Sequence, residues 1–151
     1  MKKSLFVIAA LALVFAFASC NKENSYTGKY KGTYTFFKQS GSISNPDSTK
    51  SGKTVPILHP TESRIMLYDF LPMEKIADGV FQTTEMQSDI MSQLLQMAGV
   101  GQNAAENISN VKIRADFTVA NHLTYVMTYE VQILGSVGVE VRILQFDGDR
   151  Q

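Results

Sequence analysis

The sequence is poor in the groups that most often carry chemistry. It has one cysteine, two histidines and no surplus of either charge, with fourteen basic and fourteen acidic residues in 151. One cysteine excludes an internal disulfide and a thiolate metal cluster. Two histidines, His59 and His122, exclude a three-histidine zinc site and form no His-x-x-x-His pair. Balanced charge gives no basic excess for nucleic acid and no acidic tail. No Gly-x-Ser-x-Gly elbow is present, and "GVG" at Gly99–Gly101 lacks the lysine of a phosphate loop. "DGD", Asp147 to Asp149, is too short for a calcium loop and reads as a C-terminal turn. Neither a metal nor a cofactor is expected.

What is present starts at the lone cysteine. Lys2 and Lys3 precede a fourteen-residue apolar run, Leu5 to Ala18, that ends at Ser19 and Cys20. As a helix the run would span about 21 Å, short of a bilayer core of about 30 Å. It suits the core of a signal peptide. Removing residues 1–19 leaves twelve basic residues against fourteen acidic. Residues 20–25 then read as a short polar tether, and 26–151 as a single domain.

Within that domain, period two dominates. Tyr30, Gly32, Tyr34 and Phe36 alternate with Lys29, Lys31, Thr33 and Thr35. Polar "KQSGSISNPDSTKSGK", Lys38 to Lys53, reads as a loop. "TVPIL" is predicted only as an edge strand, because Pro56 has no amide hydrogen. Glu62 to Phe70 is a strand ended by Leu71-Pro72, and "MEKIADG" a turn or one helical turn; Gly79 to Thr83 is a short strand. Met86, Ile90, Leu94 and Met97 recur at helical spacing, predicting one amphipathic helix over about 85–98, with Thr84 and Gln87 as its capping box. "QNAAENISN", Gln102 to Asn110, is a second loop. Three alternating runs close the chain, around Val111–Val119, Leu123–Ile133 and Val139–Ile143. Their short connections make antiparallel neighbours. The fold class is mainly β: an antiparallel curled sheet or small barrel of about six to eight strands with one helix.

Two resemblances add to this reading. Phe17-Ala18-Ser19-Cys20 resembles a bacterial lipobox. That implies acylation of Cys20, cleavage before it and attachment to a membrane through acyl chains, placing the protein in the cell envelope as an outer-membrane lipoprotein, on its periplasmic or its surface face. "TGKYKGTYTFF" resembles the first strand of a calycin, or lipocalin-like, domain, with tyrosine in place of tryptophan in Gly28-Lys29-Tyr30 or Gly32-Thr33-Tyr34 and with Arg142 on the last strand. With "YDFLP", Tyr68 to Pro72, the layout is similar to lipocalin-like domains of small Bacteroidales lipoproteins over residues 26–147. The resemblance carries a fold and no catalytic residues. "DST", Asp47 to Thr49, matches an O-glycosylation pattern of that bacterial group, making Ser48 a candidate.

The function expected from the sequence is a lipid-anchored, non-catalytic module, not an enzyme, that binds an apolar ligand or an envelope protein. Tyr30, Tyr34, Phe36, Tyr125, Tyr129 and Arg142 are the candidate cavity residues. One alternative is an envelope hydrolase using His59 or His122 with a nearby carboxylate. Another is a structural or inhibitory envelope module.

Overall fold

Period-two alternation becomes eight antiparallel strands: β1 (Gly28–Ser40), β2 (Ile43–Thr61), β3 (Arg64–Leu67), β4 (Leu71–Ala77), β5 (Val80–Thr83), β6 (Glu106–Asp116), β7 (His122–Ile133) and β8 (Val139–Arg150). The computed structural model describes residues 25–40, 43–83, 86, 88–99, 106–135 and 137–151. Each strand pairs with the next, and β8 returns to pair with β1, closing a barrel. One helix, α1 (Ser88–Ala98), joins β5 to β6. This is the architecture expected of a calycin-like barrel.

The interior is filled by the predicted alternation. On β7, Leu123, Tyr125, Met127, Tyr129 and Val131 are buried, and the residues between them are not. Tyr30, Tyr34, Phe81, Tyr125 and Phe146 are among the largest fully buried side chains. Each such burial stabilises by roughly 1.5–3 kcal/mol. α1 adds Met91, Leu94, Leu95 and Ala98 to the same cluster. Of the predicted stripe, Leu94 is buried, Met86 and Ile90 pack partly buried against the core, and Met97 is exposed. Thr84 and Gln87, the expected capping box, lie outside the described residues.

The seam between β1 and β8 depends on glycine. Gly32 lies opposite Gly148, and a Cβ on Gly32 would sit 2.0 Å from the carbonyl oxygen of Asp147. Only hydrogen leaves room there.

Several sequence expectations are corrected. Most of Lys38–Lys53 is strand: β1 runs to Ser40 and pairs with both β2 and β8 there. Its polarity misleads because the segment is exposed, or at Lys53 half-buried, where its side chains are described. "MEKIADG" lies mainly in β4, paired with β3 and β5, and the turn is only Asp78-Gly79. Glu106–Asn110, read as loop, opens β6. β3 is only four residues, because Tyr68 and Asp69 both take left-handed backbone angles and reverse the chain. Pro56 sits between two strands. It faces Lys29 of β1, and its carbonyl accepts from Tyr68 N–H at 3.0 Å on the other side. In an antiparallel strand a residue's N–H and C=O point the same way, so the missing hydrogen faces the turn after β3 and not the β1 ladder.

Candidate active site

The chain ends of the strands form a cleft at one end of the barrel. Its volume is about 520 Å³. Ser25 and Tyr26 border it ahead of β1, Tyr30 within β1, the Asp78-Gly79 turn between β4 and β5, residues 117–121 between β6 and β7, then His122 and Arg150. α1 joins strand ends at the opposite end of the barrel.

The loop over 117–121 is held in shape. Asp116 accepts hydrogen bonds from the Thr118 amide at 2.9 Å and the Thr118 hydroxyl at 2.6 Å. Those two bonds hold the Asp116 carboxyl below its ordinary value. Phe117 N–H donates to Gly79 C=O at 2.8 Å, and Arg150 N–H to Asn121 C=O at 2.8 Å. Asn121 takes a left-handed backbone angle and so turns the chain into β7.

His122 is the first residue of β7. Register does the rest: His122 lies opposite Asp149, and Thr124 opposite Asp147. Their side chains share one sheet face, because paired residues point the same way. Nδ1 of His122 is 2.8 Å from Asp149 Oδ1, and Nε2 is 3.4 Å from Asp147 Oδ2. Thr124 Oγ1 lies 3.4 Å from Nε2. The imidazole is 23% exposed and the Asp149 carboxylate 84%. The bond to Asp149 is the main cause that raises the His122 pKa above its ordinary value; partial burial opposes it, and Asp147 reinforces it. Asp149 favours a proton on Nδ1, and the neutral ring then carries its lone pair on Nε2, the nitrogen beside Asp147 and Thr124.

These contacts overturn two expectations. "DGD" is no C-terminal turn but the end of β8, paired with β1 and β7. The expectation that the protein is not an enzyme is also corrected: a histidine held by two aspartates beside a cleft is the arrangement of a catalytic His/Asp pair.

His59 does not join this group. It lies in β2, and its Nδ1 accepts from the Tyr26 N–H at 3.4 Å. Its ring packs against Tyr26 and Phe81, and no carboxylate pairs with it among the described residues. Nε2 is buried without a hydrogen-bond partner among the described residues.

The six candidate cavity residues, Tyr30, Tyr34, Phe36, Tyr125, Tyr129 and Arg142, are all buried. Tyr30 also borders the cleft. Tyr125 OH donates to Tyr34 OH at 2.6 Å, and Tyr34 in turn shares a hydrogen bond with Tyr68. Burial is the largest cause raising the pKa of all three phenols. Arg142 lies in register with Tyr129 and Lys38 and bonds Glu140 through Nε at 2.6 Å. The arginine facing the Gly28-Lys29-Tyr30 stretch is Arg150, opposite Tyr30. A Cβ on Gly28 would meet its Nε at 2.8 Å. Both arginines lie on β8, Arg142 buried and Arg150 at its end.

Ser48 is exposed in β2, and Cys20 lies outside the described residues. No group of three or more histidine, cysteine or acidic residues able to hold a metal occurs among the described residues. No described helix is long and apolar enough to cross a membrane.

No family model matches the chain, and no curated protein or solved structure matches it.

Proposed function

We propose that the protein is a lipid-anchored envelope hydrolase whose base is His122. The 2.8 Å contact between His122 Nδ1 and Asp149, at the edge of a cleft that also holds Arg150, carries this reading. Water is the proposed nucleophile, with Thr124 Oγ1, 3.4 Å from Nε2, beside the ring. Nε2 takes a proton from water as its oxygen attacks an ester carbonyl. Asp149 stabilises the imidazolium that forms. Collapse of the tetrahedral intermediate breaks the ester C–O bond, and the imidazolium returns the proton to the leaving alkoxide. The products are an acid and an alcohol.

Hydrolysis of a short-chain nitrophenyl ester tests this. His122→Ala is expected to lose about 100-fold or more in kcat/KM, the usual worth of a positioned base. Full activity in that variant would overturn the assignment. Lipid attachment rests on the "FASC" leader anatomy. Acyl labelling is expected in the native chain and absent in Cys20→Ala; equal labelling of both would remove the anchor. Ser48 is proposed as an O-glycan site because its motif is exposed, and a glycan mass lost in Ser48→Ala is the expected readout.

A further inference from the structure

The tether and the cleft belong to the same end of the barrel. Ser25 and Tyr26 both border the cleft. Ser25 is fastened there: its carbonyl accepts from Arg150 Nη1 at 3.2 Å, and its hydroxyl from Thr27 N–H at 3.3 Å. From Cys20 to Ser25 is five residues, a reach of at most about 18 Å. The twelve residues of β7, at about 3.3 Å each and tilted by about 40°, make the barrel wall about 30 Å tall. An anchored molecule therefore cannot stand inverted, with its far end on the bilayer.

The rim agrees. Val119, 63% exposed, projects at the cleft edge beside Ala120. Val119, Ala120 and the arginine of the cleft thus meet one surface, which Asp78 also borders.

We infer that the cleft opens onto the membrane that holds Cys20, and that its substrate is an ester-bearing amphiphile drawn from that bilayer, with an anionic group set against Arg150. This rests on the proposed lipidation and, for the substrate, on the hydrolase reading.

The chain has no tryptophan, so one introduced indole reports alone. In lipidated full-length protein reconstituted into phosphatidylethanolamine/phosphatidylglycerol vesicles, brominated acyl chains are expected to quench Val119→Trp strongly. Leu134→Trp, equally exposed at 66% but at the opposite end, is expected to stay bright. Equal quenching, or quenching at position 134 alone, would overturn the orientation. His122→Ala leaves this readout unchanged, so it stands or falls apart from catalysis. For the substrate, wild type is expected to cleave a phospholipid ester in its own vesicles at least tenfold faster than in separate vesicles. Cleavage of a soluble nitrophenyl ester without cleavage of the phospholipid would sink the substrate class and leave the hydrolase standing.

Discussion

At the scale of single residues, protonation is the readable quantity. His122 is raised above 6.5 chiefly by Asp149. A folded-state pKa above the unfolded one contributes stability that is complete below about 6.5 and lost as pH rises through the raised value. Lys31 of β1 faces Asp149 from the other strand, so Asp149 lies between two basic groups. Asp149→Asn is expected to lower the His122 midpoint in an NMR titration and to shift the acid limb of kcat/KM the same way. An unmoved midpoint would assign the shift to another group. The tyrosine chain gives a second prediction. Tyr34, Tyr68 and Tyr125 have raised pKa values through burial, so folded protein keeps these phenols protonated above pH 10 and loses stability there. Ultraviolet titration should show the late phenols ionising together with unfolding. Tyr125→Phe leaves Tyr34 its bond to Tyr68, and is expected to cost about 1 kcal/mol in urea unfolding.

At the scale of elements, legibility follows burial. β7 was readable almost residue by residue, because one face is buried along Leu123–Val131 and the other is not. α1 was readable in kind, yet its buried stripe is Met91, Leu94, Leu95 and Ala98. Ser88, Asp89, Ser92, Gln93 and Gln96 fall together on one side of that helix, and Met97 lies at the border of its apolar face. Leu94→Ala is expected to lose about 2–5 kcal/mol in a urea melt, whereas exposed Met97→Ala should change little. The ends of β8 and β2 were illegible for a different reason. Asp147-Gly148-Asp149 reads as a turn by composition, but Gly148 is there so that β1 can approach. Carrying the alternation of β8 through those three residues would have put Asp149 opposite His122. Gly32→Ala is expected to cost about 1–3 kcal/mol through overpacking at the seam. It should also reduce hydrolysis, since the displaced carbonyl belongs to Asp147. Retained stability with a normal melt would show that the seam can widen.

At the scale of the whole molecule, the barrel's two ends have different work. One is joined across by α1; the other carries the cleft, His122 and the start of the described chain. The fold class was visible in the number and spacing of alternating runs, and the site was not. His122 and Asp149 are 27 residues apart, and the register of the β7–β8 hairpin brings them together. Closure itself has one uneven place. β3 meets β2 only from Ile57 to Thr61, so from Ile43 to Val55 β2 has a ladder with β1 alone among the described residues. A strand with one ladder offers its outer backbone to another molecule. Here that stretch carries Pro46, Asp47, Lys50 and Lys53 and almost nothing apolar. Its polarity, which disguised it as a loop, keeps neighbouring molecules from growing into a shared sheet. Replacing Lys50 and Lys53 with valine should leave the fold intact and turn a monodisperse solution, by light scattering, into one that forms fibres.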